Sequence, residues 1–302
     1  MGDHSPAKDL RGTIVALVTP FAADGSLDEP ALERLIEFVL DGGVEGVLAC
    51  GSTGEKSTLT VDEHKHVIER TVEIVGGRAV VLGETGSNDT HHAVEMAKFA
   101  QRAGVDAALS VVPYYNRPTQ EGLRRHYLAI AEAIDIPIVV YNIPSRTGVK
   151  MTAETLLRLA AESDRIRAVK DATQDLGFTA ELLRHRPEWF RVLSGDDGMT
   201  LATIAMGGDG IISVIGNETP RQFSDMTRLA MAGDFERARA IYYRLHALMT
   251  ANFIETNPVP VKAVLAMMGL IEEQYRLPLC PMSAANRERL RAVVADLGLI
   301  AK

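Results

Sequence analysis

Eight short runs that are apolar on both faces recur along this chain, at intervals of roughly 20–35 residues. They are TIVALVTP (13–20), GVEGVLAC (43–50), AVVLGETG (79–86), DAALSVVPYY (106–115), IPIVVYNIP (136–144), IRAVKDA (166–172), FRVLSGDD (190–197) and DGIISVIGN (209–217). A strand covered on both sides needs such a run, whereas a half-exposed strand alternates with polar residues. Amphipathic stretches lie between most of the runs. Thr60 with Glu63 fits a capping box, and Gly76–Gly77 fits the end of that helix. Further helices begin at Asn88 or Asp89 (ending near Gly104), at Thr119 (running to about Ile134) and at Thr152.

Strands alternating with helices leave two main folds. A doubly wound open sheet would normally carry a Gly-rich phosphate turn after its first strand, and TPFAADG (19–25) does not fit one. The expected fold is therefore α/β, a (β/α)8 TIM barrel with additional C-terminal helices. From about residue 218 the chain reads as helical throughout. Residues 1–225 are expected to form the barrel carrying the active site. Residues 226–302 are expected to form the last barrel helix and a C-terminal helical layer.

A formal charge of −8 argues against nucleic acid as the main partner. No apolar run is long enough to span a bilayer, and MGDHSPAKDL lacks the apolar core of a signal peptide. The expectation is a cytoplasmic protein with a frayed N-terminus and no membrane partner. Cys50 and Cys280 form no disulfide framework, and both read as small buried hydrophobes. His64, His66, His91 and His92 fall on helices with no third ligand in sequence, so no metal site is expected.

In a (β/α)8 barrel, chemistry sits at the C-terminal ends of the strands. The candidate residues found there are Ser52, Thr53 and Glu55 after the second run, and Glu84 after the third. Tyr114 and Tyr115 follow the fourth, Tyr141 and Arg146 the fifth, Lys170 the sixth, Gly195 the seventh and Ile212 the eighth. Lys170 is the awkward one. A lysine held among apolar walls loses its proton more readily and becomes a nucleophile that can form an imine with a ketone. A lysine snorkelling to solvent from a strand end is the plainer reading of its position alone. Tyr141 and Tyr115, with a Ser52 or Thr53 hydroxyl, could relay the protons an imine reaction needs; as single residues they read equally as packing aromatics. The GSTG turn could bind a carboxylate through backbone N–H groups, and Arg146 could bind a second one through its planar fork. Glu84 is open between a role at the barrel mouth and a structural pairing.

GSTGE, PYYNRP, YNIPSRTG, AVKDAT, LSGDD, GIISV and NPVPVK occur in this order along the chain. Together they resemble the pyruvate-dependent class I aldolases related to N-acetylneuraminate lyase, and the resemblance covers almost the whole chain. It implies that Lys170 forms an imine with pyruvate, with no cofactor and no metal. It implies that Tyr141 transfers protons, that Tyr115 completes the relay from a neighbouring subunit, and that Ser52 supplies the relay hydroxyl. Thr53 would bind the pyruvate carboxylate and Arg146 that of the second substrate. Gly195 and Ile212 would line the site through backbone groups. A homotetramer, a dimer of dimers, is implied as the assembly.

Within the family, PSRTG and NPVPVK point to the branch that condenses pyruvate with L-aspartate 4-semialdehyde into 4-hydroxy-tetrahydrodipicolinate, in lysine and diaminopimelate biosynthesis. Ser52 occurs also in the sugar-acid branch, which leaves cleavage or synthesis of N-acetylneuraminate or a 2-keto-3-deoxy acid as the alternative. A catalytically silent sensor or scaffold is a third reading, opposed by the intact Lys170, Tyr141 and Tyr115. Lysine-inhibited relatives carry an effector site whose positions correspond here to Asn88, Tyr114, His64, Val61, His92 and Lys56. His92 in place of an acceptor carboxylate, with Lys56 added, should repel a cationic effector, so weak or absent lysine inhibition is expected.

Overall fold

The computed structural model describes residues 9–301. The expected frayed start therefore lies, for positions 1–8, outside the described residues. The strands are β1 Gly12–Ala16, β2 Gly46–Ala49, β3 Val80–Glu84, β4 Ala107–Val111, β5 Ile138–Asn142, β6 Ile166–Asp171, β7 Arg191–Ser194 and β8 Gly210–Ser213. Each pairs in parallel with the next, and β8 returns to β1, so the sheet closes into a barrel. The helices are α1 Glu29–Asp41, α2 Val61–Val75, α3 Thr90–Ala103, α4 Gln120–Ala133, α5 Pro144–Thr147, α6 Ala153–Glu162, α7 Leu176–His185, α8 Thr200–Ala205, α9 Pro220–Met231, α10 Phe235–Ala251, α11 Val259–Met267 and α12 Ala284–Asp296. A crossover helix follows every strand. α9 packs on β1 and α1 and completes the ring, while α10–α12 form the extra layer against it. The 225/226 division falls within α9.

The local signals act where expected. Thr60 and Glu63 form a reciprocal capping box on α2, and Gly76 ends that helix in the left-handed conformation. Asp89, Thr119 and Thr152 cap α3, α4 and α6 through side-chain oxygens. Each such cap is worth about 1 kcal/mol. Cys50 is buried as expected, but Cys280 is exposed. It lies after a turn in the irregular segment between α11 and α12, where no helix or strand face turns it inward.

Alternation along each strand sorts residues into two cores. Val47, Val81, Val140, Val169 and Val192 face the surrounding helices. Leu48, Leu82, Leu109, Val139, Ala168, Leu193 and Ile212 fill the barrel interior. Two residues beyond Leu82 and Ala168 on the same inward face stand Glu84 and Lys170. The polar chemistry therefore lies on top of an apolar plug, at the end of the barrel where the strands finish.

Candidate active site

Lys170 is only 5% exposed, and its neighbours across the sheet are Tyr141 on β5 and Leu193 on β7. Its Nζ lies over the Tyr141 ring, 4.3 Å from the centroid. No carboxylate among the described residues lies within ion-pair distance of it. Burial pulls its pKa down to about 8, with the charges of Glu84 and Asp197 pushing back and that of Arg146 adding to the fall. Roughly a tenth of the amine is therefore free at pH 7, far more than for an ordinary lysine, as imine formation requires.

Burial pushes the Tyr141 pKa up to about 12, with the nearby Ser52 hydroxyl pulling it back. It is thus protonated at neutral pH, with a second hydroxyl close by. Ser52 and Thr53 sit in a tight turn after β2. The N–H groups of Gly54 and Glu55 bond back to the carbonyl oxygens of Gly51 and Ser52. Cys50 and Glu55, at either end of the turn, both have positive φ. Tyr115 (φ +70°), Arg117 and Gln174 do too, in the loops after β4 and β6. Non-glycine residues in this conformation carry strain of about 1–3 kcal/mol each and cluster at functional sites.

Thr53 is buried, and its Oγ1 accepts from Asn257 Nδ2 at 3.0 Å. Arg146 Nη2 donates to the Asn257 carbonyl oxygen at 3.1 Å. Among the described residues Arg146 has no carboxylate partner, which leaves its fork free for an anion. Two clefts open here and share Ile143, Arg146, Thr256 and Asn257. Ser52, Glu84 and Tyr114 line the first, and Ala172, Gly195 and Asp196 the second. Lys170 and Tyr141 are on neither wall; each is buried to the same small residual exposure.

Gly195 is held by its N–H, which donates to the Asp171 carbonyl oxygen at 2.7 Å, and a Cβ there would come within 2.8 Å of the Ala172 Cβ. Ile212 belongs to the barrel interior. Tyr115 is not brought to this cluster: it is 90% exposed, with its backbone held in the left-handed region.

Residues not singled out by sequence complete the site. Asp197 is buried, accepts from Ser213 Oγ and from the N–H groups of Val214 and Ile215, and is pushed up to about 6 by burial. Lys262, the last residue of NPVPVK, donates to Glu55 Oε1 at 2.5 Å and to the Thr19 carbonyl oxygen at 3.1 Å. Both side chains of that pair are fully buried. A lysine inside the apolar helix VPVKAVLAM is the same kind of signal that marks Lys170 in its strand, and it was there to be found.

The sequence profile of the Dihydrodipicolinate synthetase family matches residues 9–297. The chain belongs to this family. It is 48% identical over 295 residues to a curated 4-hydroxy-tetrahydrodipicolinate synthase of Chlorobium chlorochromatii, covering 98% of this chain and 100% of that one. A chloride-inhibited dihydrodipicolinate synthase of Acinetobacter baumannii, solved with pyruvate, superposes with a TM-score of 0.95 at 42% identity, covering 97% of this chain and 100% of the other. A monomeric dihydrodipicolinate synthase variant superposes with a TM-score of 0.94 at 41% identity, over 96% and 97% of the two chains. Family membership and the barrel thus agree with the sequence motifs. Among the described residues no helix is long and apolar enough to cross a membrane.

Proposed function

We propose that this chain is a lyase that condenses pyruvate with L-aspartate 4-semialdehyde to give 4-hydroxy-tetrahydrodipicolinate, in lysine and diaminopimelate biosynthesis. The observation that carries the reading is the Lys170 amine, buried without an ion-pair partner over the ring of Tyr141, whose hydroxyl is within electrostatic reach of Ser52. The free amine adds to the pyruvate ketone carbon. The carbinolamine oxygen leaves as water, taking a proton from the Tyr141–Ser52 relay, and a C=N⁺ bond remains on Lys170. That iminium is an electron sink, so a methyl proton can leave to form an enamine without any cofactor. The enamine carbon attacks the aldehyde carbon, and the aldehyde oxygen takes up a proton as the C–C bond forms. The amino group of the condensed product then attacks the iminium carbon and displaces the Lys170 amine, closing the ring.

In this scheme Thr53 and the GSTG turn hold the pyruvate carboxylate, and Arg146 takes that of the semialdehyde. Gly195 and Ile212 shape the wall and floor. A left-handed, 90% exposed Tyr115 is at odds with a lone chain and suits a side chain destined for a second copy, so we assign it the relay position across a subunit interface in a homotetramer. We place the enzyme in the cytoplasm. The test is product formation from pyruvate and aspartate semialdehyde with Lys170→Ala as control. Turnover lost in the variant supports the reading. Adduct on Lys170 without turnover of this aldehyde overturns the substrate and moves the sugar-acid aldolases forward.

A further inference from the structure

Glu84 ends β3 on the inward face and is 2% exposed. Its Oε1 accepts from the N–H of Gly86 at 2.9 Å and of Val111 at 3.4 Å. Lys56, in the turn after β2, brings its Nζ to 3.4 Å from the same oxygen and also donates to the Gly86 carbonyl oxygen. Lys56 and Glu84 line the same cleft as Ser52 and Arg146. Two βα loops are thus joined by an ion pair at the mouth of the barrel. Burial raises the Glu84 pKa above the usual carboxylate value, and Lys56 leads the groups that pull it back, so without that cation the carboxylate takes up a proton more readily.

The charged and titratable groups around the pair are few. Glu84 lies within electrostatic reach of Lys56, Cys50, Tyr127 on α4, Tyr141 on β5 and Lys170 on β6, and the His64 ring on α2 bonds its carbonyl oxygen at 2.8 Å. Around Lys170 stand Glu84, Tyr141, Arg146 on α5 and Asp197 after β7. Asp197 is engaged by three donors of its own, and Arg146 is cationic. Of the two carboxylates acting on the amine, Glu84 does more to hold its proton.

We propose that Lys56 and Glu84 are a positioning pair for the imine-forming amine: Lys56 keeps Glu84 ionised at the barrel mouth, and that carboxylate is the negative charge against which the Lys170 ammonium, and then its iminium, is held. This rests on the reading of Lys170 as the imine former. It also gives Lys56 a partner inside the site, besides the effector-repelling role its sequence position suggests. Lys56 acts through Glu84, so the two substitutions should not add.

The experiment is borohydride trapping of pyruvate on the full chain across a pH series, read by intact mass, for the wild type, Glu84→Gln, Lys56→Met, the double variant and Lys56→Arg. Removing the carboxylate should lower the midpoint of the acid limb by roughly one pH unit in Glu84→Gln. Lys56→Met should move it in the same direction and no further, the double variant should match Glu84→Gln, and Lys56→Arg should keep the wild-type midpoint. An unmoved midpoint in Glu84→Gln, additive shifts, or opposite shifts overturn the proposal. If Glu84→Gln does not fold, Lys56→Met decides alone: a lowered midpoint supports the pair and an unmoved one overturns it. A wild type that traps no pyruvate at any pH removes the imine reading itself, which distinguishes that failure from this one.

Discussion

Two buried lysines stand near the same end of this barrel, and their surroundings differ. Lys262, on α11, is fully buried but has a carboxylate, a carbonyl oxygen and the faces of Phe21 and Tyr275 around its ammonium. Burial lowers its pKa while Glu55 works to keep it protonated. Lys170, on β6, has the Tyr141 ring and no ion-pair partner. A satisfied buried charge is structure, and breaking it is costly; an unsatisfied one is held at a cost to stability and is available for chemistry. Burial alone does not separate the two roles. The partner does.

The largest effect should come from removing the unsatisfied amine. Lys170→Met should abolish the borohydride-trapped pyruvate adduct while leaving thermal stability unchanged or higher; a large loss of stability would put Lys170 in the structural class with Lys262. Lys262→Met should do the converse. It should cost about 3–5 kcal/mol in denaturant unfolding by stranding Glu55, and replacing Glu55 as well with an apolar residue should restore part of the loss. Tyr141→Phe should slow both adduct trapping and turnover, turnover by roughly 100-fold, with little change in unfolding.

The pH dependence sharpens the contrast further. The Lys170 pKa is about 8 in the folded chain and about 10.4 in an unfolded one, so above pH 8 the unfolded state binds more protons. Its contribution therefore makes stability rise with pH between those values, by on the order of 2–3 kcal/mol. Unfolding curves should show that rise in the wild type and lose it in Lys170→Met. The smallest effect expected is that of added lysine, which should leave the activity curve nearly unchanged; strong inhibition would mean that Lys56 and His92 do not repel it.

The barrel was legible because its signals are local. Doubly apolar runs fix the strands, and Thr60, Asp89, Thr119 and Thr152 cap helices through contacts two or three residues away. Lys170 was legible for the same reason, as an ionisable residue in an apolar strand whose inward phase is set by Ala168. What stayed hidden depends on partners far along the chain. Thr53 meets Asn257 across 204 residues, and Glu84 gains a counter-ion from the loop of a different βα unit. Exposure of Cys280 was misjudged because residue type predicts burial only where a helix or strand face enforces it.

The Glu55–Lys262 bond spans 207 residues, and the Asn257 contacts to Thr53 and Arg146 come from the same late segment. A ribosome delivers the eight strands before it delivers these partners. A nascent chain that already holds the whole barrel would still carry Glu55 without its cation and Arg146 without its anchor. The segment carrying Asn257 and Lys262 thus acts as a clasp, and the reactive mouth can be completed only after all eight strands have been made.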